Sequence, residues 1–258
     1  MFGRILVGFQ DTAQGRDARA LGNALSRLTG ARLELATLAR GGLAEAARAE
    51  HADLVVLGST HRGPLGRLVP GAAVAHLLDE APCAVAVAPP GFAQPGTGNG
   101  WRPLDGDGDD VGLRVLGVGF DGSRAAHAAL ASATELALAA GAALRVYTVA
   151  RRVPQVHAAA EATGAASVSP TEAEALRAAL QEAVAELPRE TRALPVFLRG
   201  LPARELIDAV ANGVDMLVLG SRPGGPIRRA LQGSVTNAVL EAVHCPVLIC
   251  PGEAARTP

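Results

Sequence analysis

The apolar positions of this chain fall in short unbroken blocks. Ile5-Leu-Val7, Leu54-Val-Val-Leu57, Ala84-Val-Ala-Val-Ala88, Met216-Leu-Val-Leu219 and Val247-Leu-Ile-Cys250 each stop at a glycine or a proline, and longer Ala/Leu-rich stretches separate them. Blocks of this length with no polar alternation suit strands buried on both faces, the strands of parallel sheets. The stretches between them suit the helices that cover such sheets. The pattern predicts strands near 4–9, 32–38, 54–58 and 83–88. It then predicts strand 113–120, helix 123–140, strand 143–150, helix 171–187, strand 194–199, helix 202–211, strand 215–220, helix 233–243 and strand 246–250. Helix 171–187 carries start signals in Ser169, Pro170, Thr171 and Glu172, and Pro188 stops it.

These elements are two copies of one unit. Arg4-Ile-Leu-Val-Gly-Phe9 is echoed by Arg114-Val-Leu-Gly-Val-Gly-Phe120, and Gly8 and Gly30 match Gly119 and Gly141 at an offset of 111. Further along, Asp53-Leu-Val-Val-Leu-Gly-Ser59 matches Asp215-Met-Leu-Val-Leu-Gly-Ser221, Gly71 matches Gly233, and Ala81-Pro-Cys-Ala-Val85 matches Val243-His-Cys-Pro-Val247, all at an offset of 162. The first copy is therefore about 51 residues shorter, the length of the helix and strand that the second carries between Val149 and Leu201. The fold class that follows is α/β, with two tandem open parallel-sheet, Rossmann-like domains, the first lacking one helix and one strand. Their boundaries are 1–90 for the trimmed domain and 112–252 for the complete one, joined by a Pro/Gly/Asp-rich linker at 91–111.

Composition narrows the function. With 24 basic and 25 acidic residues the formal charge is -1, which leaves no basic stripe for a nucleic-acid backbone or an anionic membrane surface. No apolar run is long enough to span a bilayer and the amino terminus enters a strand at once, so a cytoplasmic protein is expected. Cys83, Cys245 and Cys250 have neither metal-site nor disulfide-framework spacing and read as buried small hydrophobes. The six histidines are scattered, and the Asp105–Asp110 tract lacks the spacing of a calcium loop, so no metal site is expected. Every basic residue is an arginine, which removes Schiff-base chemistry and a P-loop lysine together.

Two segments carry candidate chemistry. Gly117-Val-Gly-Phe-Asp-Gly122 satisfies a dinucleotide-binding expression, but Gly117 falls inside the strand and the next strand ends without an acidic residue, so that reading is set aside. Gly220-Ser-Arg-Pro-Gly-Gly-Pro-Ile-Arg-Arg-Ala-Leu-Gln-Gly-Ser-Val-Thr236 leaves a strand, crosses a glycine-rich stretch and starts a helix. Helix N-terminal N–H groups and the Ser234 and Thr236 hydroxyls could hold a phosphate there. The same residues also suit a plain connection with Ser234 as N-cap.

On these motifs the chain resembles a tandem universal stress protein of the adenine nucleotide alpha hydrolase-like fold. Val118-Gly-Phe-Asp-Gly-Ser123 resembles that family's first-strand motif, and Cys245-Pro-Val-Leu-Ile249 its last strand. The family's ATP pattern is a glycine, two residues, a glycine, nine residues, then glycine and Ser/Thr. It maps onto Gly220, position 223 and Gly233-Ser234. The resemblance implies ATP, alone or with Mg2+, in the C-terminal domain only. The implied site comprises Asp121, Gly122 and Ser123, the Val149 backbone against adenine, Gly220, Arg222, Gly224, Gly225, Gly233, Ser234, Val235 and Thr236.

The middle glycine is Pro223, which has no N–H to offer, with Gly224 and Gly225 beside it to compensate. In the first copy Gln10 replaces the aspartate, His61 the middle glycine, and Gly71-Ala72 the closing pair, so that copy is expected to bind no nucleotide. Asp11, one residue late, should point elsewhere. No histidine stands at an obvious partner position for Asp121 and Ser123, and no catalytic set is evident, although slow ATP hydrolysis stays open. The expected function is stress-response regulation with ATP as ligand. The alternative is an ATP-independent interaction scaffold of the same fold. The strands 84–88 and 247–250 are expected at sheet edges, where they could pair within one chain as a pseudo-dimer or between chains as a homodimer.

Overall fold

A computed structural model of the chain describes residues 2–37, 42–59, 82–94, 112–151, 170–221 and 235–252. The N-terminal part holds β1 (Arg4–Phe9), α1 (Ala13–Thr29), β2 (Arg32–Thr37), α2 (Gly42–Ala49), β3 (Leu54–Gly58) and β4 (Ala84–Ala88). The C-terminal part holds β5 (Val115–Gly119), α3 (Arg124–Ala140), β6 (Ala143–Arg151), α4 (Pro170–Ala185), β7 (Leu194–Gly200), α5 (Pro202–Ala211), β8 (Met216–Ser221), α6 (Val235–Ala242) and β9 (Val247–Pro251). A 3-10 turn at Arg189–Thr191 precedes β7.

The nine strands among the described residues form one mixed sheet in the order β2-β1-β3-β4-β9-β8-β5-β6-β7. The two open parallel sheets expected of the tandem units are thus joined into one. Within each half every pairing is parallel. Across the middle, β4 and β9 run antiparallel, with Val85 opposite Ile249, Ala86 opposite Leu248 and Val87 opposite Val247. The two strands expected at edges are therefore interior, and of the two pairings open to them the structure shows the one within the chain. Both are apolar on both faces, and pairing them satisfies backbone groups that two edges would leave to water.

The sheet is covered on both sides. On one face α1, α3 and α4 bury Leu21, Leu25, Leu136 and Leu180 against Ile5, Leu54, Leu116 and Leu144; on the other, α2, α5 and α6 bury Leu43, Leu206, Val239 and Leu240 against Val55, Leu217 and Ile249. No helix among the described residues is long and apolar enough to cross a membrane.

The repeat holds at the level of single atoms. Asp53 Oδ2 accepts the N–H groups of Gly3 and Arg4 at 2.8 and 2.9 Å, and Asp215 Oδ2 accepts those of Arg114 and Val115 at 2.8 Å each. α1 and α3 both end at a left-handed glycine, Gly30 (φ 70°) and Gly141 (φ 63°).

Among the described residues, one contact has no counterpart in the second copy. Asp17 on α1 is 3% exposed, and its two carboxylate oxygens accept Gly91 N–H and Ala93 N–H at 2.9 and 2.8 Å. The start of the expected linker thus folds back over α1, and Phe92 is buried in the core there. Ala128 occupies the matching position of the second copy.

Candidate functional site

β5 has β6 on one side and β8 on the other. The chain leaves β5 toward β6, so neighbouring connections diverge beyond the C-terminal ends of β5 and β8 and open a crevice there. α3 starts at that crevice. Its N-cap is Ser123, whose Oγ accepts Ala126 N–H at 3.2 Å. Ser123 N–H in turn donates to Asp121 Oδ1 at 3.0 Å, and Gly122 between them has φ 76°. The Asp-Gly-Ser turn therefore presents a carboxylate at the positive end of a 17-residue helix.

Two further elements frame this turn. From β6, Tyr147 O accepts Phe120 N–H and the Thr148 hydroxyl donates to Phe120 O, both at 2.8 Å. From β8, Gly220 lies so close to the first turn of α3 that a Cβ there would stand 2.3 Å from Ala125 C and O. Only glycine lets the strand end meet the helix in this way.

The structure gathers Asp121, Gly122, Ser123, Val149 and Gly220 at this one sheet end. Val235 and Thr236 open α6, which packs on α5, and no hydrogen bond among the described residues joins them to the Asp121 turn. Arg222, Gly224, Gly225, Gly233 and Ser234, with Pro223, lie outside the described residues. Among the described residues no His/Cys/Asp/Glu cluster could hold a metal ion.

One residue at the site was passed over in the sequence. His127 stands four residues after Ser123; its Nδ1 lies 3.0 Å from Ser123 O and its ring meets Phe120 edge-on at 5.0 Å between centroids. The i,i+4 spacing was the available signal. The contact reaches the Ser123 backbone rather than its hydroxyl, so it braces the turn and does not activate a nucleophile.

The matching turn of the first copy is built differently. Thr12 caps α1, its hydroxyl accepting Gly15 N–H at 3.2 Å. With no aspartate at position 10, Thr12 N–H donates to the backbone carbonyl of Gln10 at 2.7 Å. That main chain lies where the second copy has the Cβ of Ala126: a Cβ on Gly15 would stand 1.8 Å from Gln10 O. Asp11 points out to an exposed ion pair with Arg16 at 3.2 Å.

A model of the universal stress protein family matches residues 35–89 and 112–251. A universal stress protein of Methanocaldococcus jannaschii is 37% identical over 54 residues, a match spanning 20% of this chain and only 32% of that relative's length. A universal stress protein from Archaeoglobus fulgidus superposes over 96% of both chains with a TM-score of 0.60 and 13% identity. A putative universal stress protein from Pseudomonas aeruginosa superposes over 97% of this chain and 93% of its own, with a TM-score of 0.62 and 19% identity. At such identities the solved structures establish the fold, a tandem arrangement of two units.

Proposed function

The chain belongs to the universal stress protein family, and from that premise we propose that it is a stress-response regulator with one adenine-nucleotide site, in its C-terminal half. The observation that carries this reading is the convergence at one crevice of the Asp121 turn, the α3 N-terminus, the Val149 peptide and the Gly220 exit. The described residues suit the nucleoside end of ATP: a carboxylate for ribose hydroxyls and a strand-end peptide for the base edge. The phosphate end falls to residues 222–236, with arginines to balance its charge and Mg2+ as a further counterion. In the shorter first half, Gln10 supplies a backbone carbonyl where the second half has a carboxylate, and that half binds no nucleotide.

On this reading ATP acts as a regulatory ligand, with slow hydrolysis left open, because among the described residues His127 reaches the Ser123 backbone rather than its hydroxyl. Ligand and protein communicate through whichever conformation ATP prefers. The test is direct. Acid-released ligand from purified protein is examined for adenine by chromatography, and ATP is then titrated into the stripped protein by calorimetry. Saturable binding that Asp121→Ala abolishes is the expected result. Absence of binding at millimolar ATP overturns the reading and leaves the ATP-independent scaffold, with Pro223 as the residue that closed the site.

A further inference from the structure

β5 ends at Gly119, whereas β6 runs on to Arg151. In a parallel ladder, alternate residues direct both their N–H and C=O to the same neighbouring strand. Ala143 N–H donates to Arg114 O, and Tyr147 O accepts Phe120 N–H. The odd-numbered residues of β6 therefore address β5, and the Val149 peptide is aimed past the end of β5 into the crevice. A continued ladder would place Val149 N–H on Phe120 O. Instead that carbonyl accepts the Thr148 hydroxyl, and Thr148 is 1% exposed. The hydroxyl closes the ladder at the point where the chain departs into the Asp121 turn, and it satisfies a carbonyl that would otherwise hold the Val149 N–H.

We propose that Thr148 is the positioning residue of the nucleotide site: its buried hydroxyl pins Phe120 O, which fixes the Asp121 turn and leaves the Val149 peptide free to read the base. This rests on the adenine-nucleotide reading above. Thr148 touches no ligand itself. Its effect is on base discrimination, because adenine and guanine differ in the donors and acceptors of their edges and a displaced peptide reads neither correctly.

The experiment measures ATP and GTP affinity by calorimetry on the full chain and on Thr148→Val and Thr148→Ser. The wild type should favour ATP. Thr148→Val should lose roughly five- to tenfold of that preference, the worth of one buried hydrogen bond with its carbonyl left unpaired. Thr148→Ser, which keeps the hydroxyl, should stay within about twofold of wild type. Faster amide exchange at Ser123 in Thr148→Val should accompany the loss. A purely structural role would weaken both nucleotides by one factor, and an unchanged ATP-to-GTP ratio overturns the proposal while the nucleotide reading stands. A wild type that binds neither nucleotide overturns both. Should Thr148→Val fail to fold, Thr148→Ala reads the same ratio.

Discussion

Gly58 and Gly220 occupy matching positions and meet the same steric demand. A Cβ on Gly58 would stand 2.0 Å from Gln14 O, and one on Gly220 would stand 2.3 Å from Ala125 O. Backbone cannot yield as a flexible side chain does, so Gly220→Ala should cost about 2 kcal/mol or more in chemical denaturation, and Gly58→Ala a similar amount. An unchanged denaturation midpoint in either would show that the strand ends tolerate separation. The thiols also yield a test. Burial pushes Cys83 and Cys245 up to about 12 and Cys250 up to about 11. At pH near 8 the buried Cys245 and Cys250 should resist alkylation in the folded chain, the half-buried Cys83 should react slowly, and all three should react once it is unfolded, as read by mass spectrometry. Rapid labelling of any one in the native protein would contradict that burial.

At this scale the sequence was only partly readable. The local geometry of Asp121, Ser123 and Gly220, a turn carboxylate, an N-cap hydroxyl and a close backbone approach, was signalled by residue type. His127 and Thr148 were missed because each bonds a backbone carbonyl, a partner present at every position and therefore invisible in a string of side chains.

Among the elements, α1 and the segment after β4 form the most distinctive contact. Burial raises the Asp17 carboxyl above its ordinary 3.8, outweighing the opposing pull of the Ala93 and Gly91 N–H groups and of Arg16. The folded chain therefore holds that proton more tightly than the unfolded one. Its contribution to stability is full below about pH 4 and fades as pH rises through the elevated folded value. Relative to Asp17→Asn, which cannot ionise, wild type should lose urea resistance as pH is raised from about 4 toward neutrality. A gap between the two midpoints that does not change with pH would refute this. Salt should alter the slope little, because the group is buried.

Wherever a described strand or helix had expected bounds they were legible to within two residues, since unbroken apolar blocks and flanking Gly and Pro mark both ends; α1 and α2 had none. The fastening of residues 91–93 was not. A lone acidic residue on a helix reads as solvated until its partners are known, and here those partners lie more than seventy positions away.

For the whole molecule the decisive feature is the pairing of β4 with β9. It joins two units into one sheet whose halves point in opposite directions. Val87 is 4% exposed and opposite Val247. Val87→Lys would bury an unpaired charge at that seam and should cost several kcal/mol. Calorimetry should then show one melting transition for the wild type and two for Val87→Lys, one per half. One transition at a lower temperature would mean that the halves are coupled by α1 and α3 as firmly as by the seam. The seam itself could not be read from the sequence, because an apolar edge has the same composition whether its partner is in the same chain or another.

A symmetric pair of equal sites, one on each side of such a seam, could answer its ligand in a concerted step. Here the symmetry is kept by the scaffold and given up by the chemistry, since only one half carries the Asp-Gly-Ser turn. On the proposed reading, occupancy of the single chain follows a simple hyperbola with a Hill coefficient of about one, whatever the seam transmits. Such a molecule works as a gauge: its bound fraction tracks the nucleotide level in proportion around its Kd, without a threshold.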